Sequence, residues 1–145
     1  MSDDEIVMYN GENKYFVGSS LMFMIPGFYG LYHKEYYLAP SLIIGSLISI
    51  NYWRNPKYGI RRNMDYIYVN SIIPYYMFNI FLIPSITSQV LLSSLYGMGA
   101  MLFKKAYNEY HKKNRFWYMY HLGMHSVFYT GHSLLLYWSI FPPIS

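Results

Sequence analysis

The chain has 145 residues, 12% of them charged and 54% hydrophobic, with 11 Lys and Arg against 7 Asp and Glu for a net charge of +4. Soluble domains average about 25% charged residues, so an ordinary water-exposed surface is not expected, and the length allows one domain at most. With no Cys there is no disulfide, thiolate metal site or Cys nucleophile; the modest charge serves loop topology first and gives no nucleic-acid footprint.

Charge is absent from four stretches, 15–33, 36–53, 66–103 and 116–145. A surface helix of a soluble domain needs a polar face, whereas an α-helix crossing hydrocarbon needs roughly 20 apolar residues. The mean hydropathy of +0.10 is low because 19 Tyr count as polar, although Tyr suits bilayer interfaces and internal helix faces. The pattern predicts an all-α integral membrane helix bundle of about five transmembrane helices, forming a single membrane domain over 1–145. Abundant Ile, Tyr, Asn and Lys with scarce Ala suggests an AT-rich genome, as some viruses and many protists have.

Residues 1–14 form a polar N-terminal segment, and its acidic start differs from a secretory or transit leader. The first span is expected at 15–32, interrupted by Pro26-Gly27, with Gly27 and Gly30 allowing close helix approach. The turn His33-Lys34-Glu35 leads to a second span at 36–53, with Pro40 in its first turn, where a missing N–H costs little. The stretch 66–103 is too long for one crossing and folds back near Pro84-Ser85. That gives spans at 65–83 and 85–103, with Pro74 a candidate kink. The last span runs over 116–140 and stops at Pro142-Pro143.

The loop after the second span carries Arg54, Lys57, Arg61 and Arg62, and the loop after the fourth carries Lys104, Lys105, Lys112, Lys113 and Arg115. Two spans separate them, so both loops fall on one side, which the positive-inside rule makes the cytoplasm or its equivalent. The N-terminus then lies inside and the C-terminus opposite.

Ionisable residues at membrane depth are costly and are read first as functional. His121 and His125 are spaced i, i+4 on one helix face, a spacing able to share a metal. His132 continues the stripe about 10 Å further along, too far to join them. A purely structural reading makes Tyr118, His121, His125, Tyr129 and His132 a hydrogen-bonding stripe. Asp65 reads as an N-terminal helix carboxylate paired with Arg, Ser49 and Asn51 as packing hydrogen-bonders, and Asn70, Asn79 and Gln89 as bridges between helices. The topology brings Ser49, Trp53, Asp65, His121 and His125 to one depth near the basic face.

Ser49-Ile50-Asn51-Tyr52-Trp53, then Asp65, then His121-Leu122-Gly123-Met124-His125 resembles the superfamily of alkaline ceramidases, progestin/adiponectin receptors and haemolysin-III-like proteins. Those seven-span proteins carry Ser-x-x-x-His, a following Asp and a last-span His-x-x-x-His, and three His hold Zn²⁺ whose bound water attacks a lipid amide or ester. The resemblance covers about forty residues. It implies that His121 and His125 would ligate zinc, that Asp65 would orient water or act as base, and that Ser49 would support the site. Trp53 stands where the first-motif His is expected, and the chain has about five spans, not seven.

The favoured reading is a structural or assembly component without catalysis or cofactor, partnered by the lipid bilayer and by other membrane proteins or an oligomer. The alternative is a zinc-dependent intramembrane lipid amide or ester hydrolase. A small transporter or channel subunit ranks last, because five short spans leave little room for a pore.

Overall fold

The computed structural model describes residues 11–143, and every regular element among them is α-helical. The helices are α1 (Asn13–Met22), α2 (Met24–Tyr32), α3 (Ala39–Trp53), α4 (Ile60–Phe81), α5 (Ile86–His111) and α6 (Trp117–Ile140). They fall into two compact units that divide after Phe78.

In the first unit α1 and α2 are separated only by Phe23. The expected interruption at Pro26-Gly27 thus lies three residues earlier. Pro26 has no N–H to offer the carbonyl of Met22, so the break appears one turn upstream and the proline sits harmlessly in the first turn of α2. At the end of α2, Lys34 adopts φ +64° and the N–H of Glu35 reaches back to the carbonyl of Gly30 at 2.9 Å, a left-handed stop. Glu35 then opens α3, its carboxylate accepting from the backbone N–H of Tyr37, Leu38 and Ala39 at 3.3, 2.6 and 2.9 Å. An anion at a helix N-terminus satisfies orphan donors and opposes the helix dipole favourably.

The chain reverses between α2 and α3, and α3 runs back along α1. Phe16 stacks on Trp53 with ring centroids 4.3 Å apart, and Ser46 Oγ donates to the Ser20 carbonyl at 2.6 Å. Gly27 is buried where a Cβ would come within 2.7 Å of the Ile43 side chain, so the expected close approach at this glycine is present. Helix α4 starts at Ile60, one turn before the first residue of the expected third span, and carries Pro74 inside it.

In the second unit the reversal after α4 falls at Pro84-Ser85, as the sequence suggests. Ser85 caps α5 by accepting from the Ser88 N–H, and Gln89 Nε2 donates to the terminal carbonyls of Phe81 and Ile83 at 3.3 and 2.8 Å. Helix α5 continues two turns beyond the charge-free stretch, carrying Lys104 and Lys105 on its surface. It packs antiparallel to α6 by knobs of aromatic side chain on glycine. A Cβ on Gly99 would stand 2.6 Å from the Phe128 ring, and one on Gly131 3.1 Å from Tyr96. At the connection, Lys113 takes φ +58° and the Asn114 N–H bonds the Glu109 carbonyl at 3.0 Å. Tyr110 meets Trp117 edge-on at 5.2 Å.

Among the described residues α5 alone is long and apolar enough, by length and composition, to cross a membrane. Helices α1 to α3 are shorter than 18 residues, and Tyr, His and Asn lower the hydropathy of α4 and α6.

Two stability outcomes follow. Gly99→Val, which drives two methyl groups into the Phe128 ring, is expected to cost about 1–3 kcal/mol, the usual range for overpacking. Lys113→Gly, which relieves a left-handed non-glycine residue, is expected to stabilise by about 1 kcal/mol. Denaturant unfolding of the purified chain, followed by circular dichroism, measures both.

Candidate functional site

Two of the residues singled out by sequence, Ser49 and Asp65, meet in the first unit. Ser49 Oγ donates to Asp65 Oδ1. Because α4 begins at Ile60, Asp65 lies in its second turn, not at its start, and the dipole offers it less than the sequence suggests. It makes no ion pair among the described residues, and the Arg62 guanidinium lies instead over the Tyr58 ring at 4.6 Å. The expected pairing of Asp65 with Arg is therefore replaced by a hydroxyl partner from α3.

That contact is one rung of a longer seam. Ser41, Gly45 and Ser49 recur every four residues, so they share one face of α3. Helix α4 answers with Tyr76, Tyr68 and Asp65. Ser41 Oγ donates to the Leu38 carbonyl at 2.6 Å, which leaves the Tyr76 hydroxyl to donate to Ser41 Oγ at 2.8 Å. Tyr68 Oη donates to the Ser41 carbonyl at 2.5 Å, and its ring covers Gly45 where a Cβ would stand only 2.7 Å away. Sequence reading found the Ser49–Asp65 end and missed Ser41, Tyr68 and Tyr76. The Ser-x-x-x-Gly-x-x-x-Ser spacing, set against two Tyr eight residues apart, was the available signal.

Trp53, at the position where the sequence resemblance expects a His, is buried, 5% exposed, between Tyr52 and the stacked ring of Phe16. Its indole is part of the α1–α3 packing. Asn70 bonds the Tyr66 carbonyl of its own helix at 2.7 Å and is exposed, so it does not bridge helices.

His121 and His125 lie in the second unit on α6. Their rings are 4.9 Å apart between centroids, with Phe103 of α5 and Trp117 beside His121. The i, i+4 spacing thus places the two imidazoles side by side. Within neither unit do three His, Cys, Asp or Glu side chains converge among the described residues. His132 belongs to a different cluster. Its Nδ1–H donates to the Phe128 carbonyl at 2.5 Å and its ring lies 5.3 Å from Tyr96.

The acidic site of the second unit is Glu109, which the sequence did not mark. It lies two turns past the last residue of the charge-free stretch, near the C-terminal end of α5, where the negative end of the helix dipole disfavours a carboxylate. Asn114 Nδ2 donates to it at 2.6 Å, and Lys105 and Lys112 approach at 3.2 and 3.4 Å. Asn114 Oδ1 accepts from the Phe116 N–H at 3.0 Å, so the same amide ties the end of α5 to the start of α6. The Asn114 hydrogen bond, followed by that of Lys105, lowers the Glu109 carboxyl to about 2. Comparison with protein-family models, with curated proteins and with solved structures finds no match.

Ser49→Ala is expected to destabilise by about 1–3 kcal/mol, because it strips the Asp65 carboxylate of its hydroxyl donor. Asp65→Asn, which can still accept from Ser49, should cost less in the same unfolding titration. Glu109 sets a pH window. Its folded value is depressed, so its contribution is fully present above the ordinary Glu value of 4.5 and is lost as pH falls toward 2. Unfolding titrations between pH 6 and 2 should show this loss in the parent chain and a weaker acid dependence in Glu109→Gln.

Proposed function

We propose that this chain is a small multi-pass integral membrane protein that serves as a structural or assembly component, without catalysis or a resident cofactor. The observation that carries the reading is the extent of large apolar side chains left exposed, beside an interior that holds serine and glycine among its apolar residues. Ile25, Ile67, Ile86, Val90 and Met101 are 60–76% exposed, whereas Ser20, Ser46, Ser88, Gly27, Gly99 and Gly131 are buried. Single exposed apolar residues are ordinary, but here they recur along one helix, as at Ile86, Val90, Leu91, Met98 and Met101 of α5. Membrane helices, which gain nothing by hiding Leu from lipid, place small and polar residues between helices and large apolar ones outside.

Helix lengths support the same reading. At 1.5 Å per residue, α4, α5 and α6 are about 33, 39 and 36 Å long, and Asn13 to Tyr32 covers about 30 Å. A hydrocarbon core is about 30 Å thick. Helix α3, at about 22 Å, is short; Tyr36 and Tyr37, exposed just before it, are suited to anchor its end at the headgroup level. The apolar window of α5 is only 22% buried, unlike the core helix of a soluble fold. In this reading five spans place the N-terminus and both basic loops on the cytoplasmic side and the C-terminus opposite. The partners are the bilayer and other membrane proteins or further copies of the chain.

A second reading, a zinc-dependent intramembrane lipid hydrolase, draws support from one observation: Asp65 is held by Ser49 and makes no ion pair with Arg61 or Arg62. His121 and His125 would then be zinc ligands. Against it, the slot of the third His is a stacked core tryptophan.

The absence of Cys makes topology directly testable, since any introduced thiol is unique. Asn55→Cys and Asn108→Cys should label from the cytoplasmic side and Tyr36→Cys from the other, with the chain resisting alkaline carbonate extraction. Labelling of all three from one side would refute the five-span topology, and release by carbonate would refute membrane integration. Metal analysis of detergent-purified protein should find no stoichiometric zinc. Zinc present in the parent and lost in His121→Ala/His125→Ala would place the hydrolase first.

A further inference from the structure

The loop between α3 and α4 folds around a pocket of about 230 Å³ lined by Asn55, Lys57, Tyr58, Ile60 and Arg61. Four of the five present hydrogen-bond donors, two of these are cations, and none is a carboxylate. Residues 54–64 contain Arg54, Lys57, Arg61 and Arg62 and no acid, so this stretch of chain is itself positively charged.

The loop is shaped, not merely basic. Pro56 within it is buried, three residues after the Trp53 that stacks on Phe16. The Lys57 N–H closes a tight turn on the Asn55 carbonyl at 2.9 Å. Gly59 takes φ +128°, a conformation that side chains rarely adopt. Arg62 clamps the Tyr58 ring from one face at 4.6 Å, and Asn13 Nδ2 reaches the Arg54 carbonyl at 3.4 Å. Topology signals alone require charge in a loop; they require no pocket and no fixed backbone.

We infer that this pocket binds the phosphate of an anionic phospholipid headgroup. The guanidinium of Arg61 matches two phosphate oxygens at once, and Lys57 supplies a point charge beside it. Asn55 and Tyr58 add neutral donors. Ile60, 77% exposed at the edge of the pocket, gives the apolar flank that a glycerol backbone and its acyl chains would meet and a free phosphate would not. The inference rests on the membrane reading above, which sets this loop at the cytoplasmic headgroup level, where anionic lipids attract basic segments.

The test uses the full chain in detergent, mixed with equal amounts of phosphatidylcholine and phosphatidic acid, with retained lipid read by native mass spectrometry. The parent should retain phosphatidic acid in preference. Lys57→Gln/Arg61→Gln should weaken that retention about tenfold more than Lys112→Gln/Lys113→Gln, which removes the same two charges from the other basic loop. Gly59→Ala should weaken it with no charge removed. Lys57→Arg, which keeps the charge, should retain the parental preference, which separates binding from folding. Equal losses in the two double variants would mean diffuse attraction and overturn the pocket. Inorganic phosphate that displaces phosphatidic acid at equal concentration would assign the site to free phosphate and overturn the lipid assignment. A chain released by carbonate and soluble without detergent fails the membrane reading, and inorganic phosphate in buffer then probes the pocket alone; an integral chain with no loss specific to the pocket variants fails only the pocket.

Discussion

Large aromatic side chains seated on glycine recur in both units. Tyr68 covers Gly45, Phe128 lies on Gly99 and Tyr96 on Gly131. Each seat demands a residue with little or no side chain opposite a ring, so each fixes the register of two helices. Dispersion across such close contacts is collectively large and survives where no hydrophobic driving force operates. These seats lie beside a buried apolar core that includes Phe16, Ile80, Leu92, Leu135 and Leu136.

Polar groups on these faces act as spacers with defined partners. In the first unit the α3–α4 seam satisfies Ser41, Tyr76, Tyr68, Ser49 and Asp65 through one another or through backbone carbonyls. Buried polar groups left without partners are expensive in a low-dielectric interior, whereas a fully paired row specifies one alignment. Asp65 therefore has a structural occupation that does not depend on any reaction. Trp53 has one as well, through Phe16. Ser49, Asp65 and Trp53 are thus embedded in packing, and the proposed function follows that occupation.

Connections carry the charge and most of the capping. Glu35 opens α3, Asn114 and Glu109 join α5 to α6, and Gln89 closes the turn after α4. Lys34 and Lys113 hold left-handed positions that glycine usually fills. Lysine at these positions keeps a charge in the loop at the cost of a strained left-handed backbone. The α3–α4 loop goes further by shaping its charge into a pocket.

The sequence by itself determined the helical class, the reversal at Pro84-Ser85, the harmless Pro40, the close approach at Gly27 and the pairing of His121 with His125. Each follows from local rules: charge-free length, proline chemistry, glycine size or the i, i+4 spacing of a helix. Tertiary structure decided the partners. Asp65 turned from arginine to Ser49 because α4 starts a turn earlier than the charge pattern implies. Asn70 turned back on its own helix, and Trp53 became a stacking partner for Phe16. The Ser41–Tyr76–Tyr68 seam was illegible because its meaning depends on two helices facing each other. Periodicity within one helix reports which residues share a face, but not what that face meets.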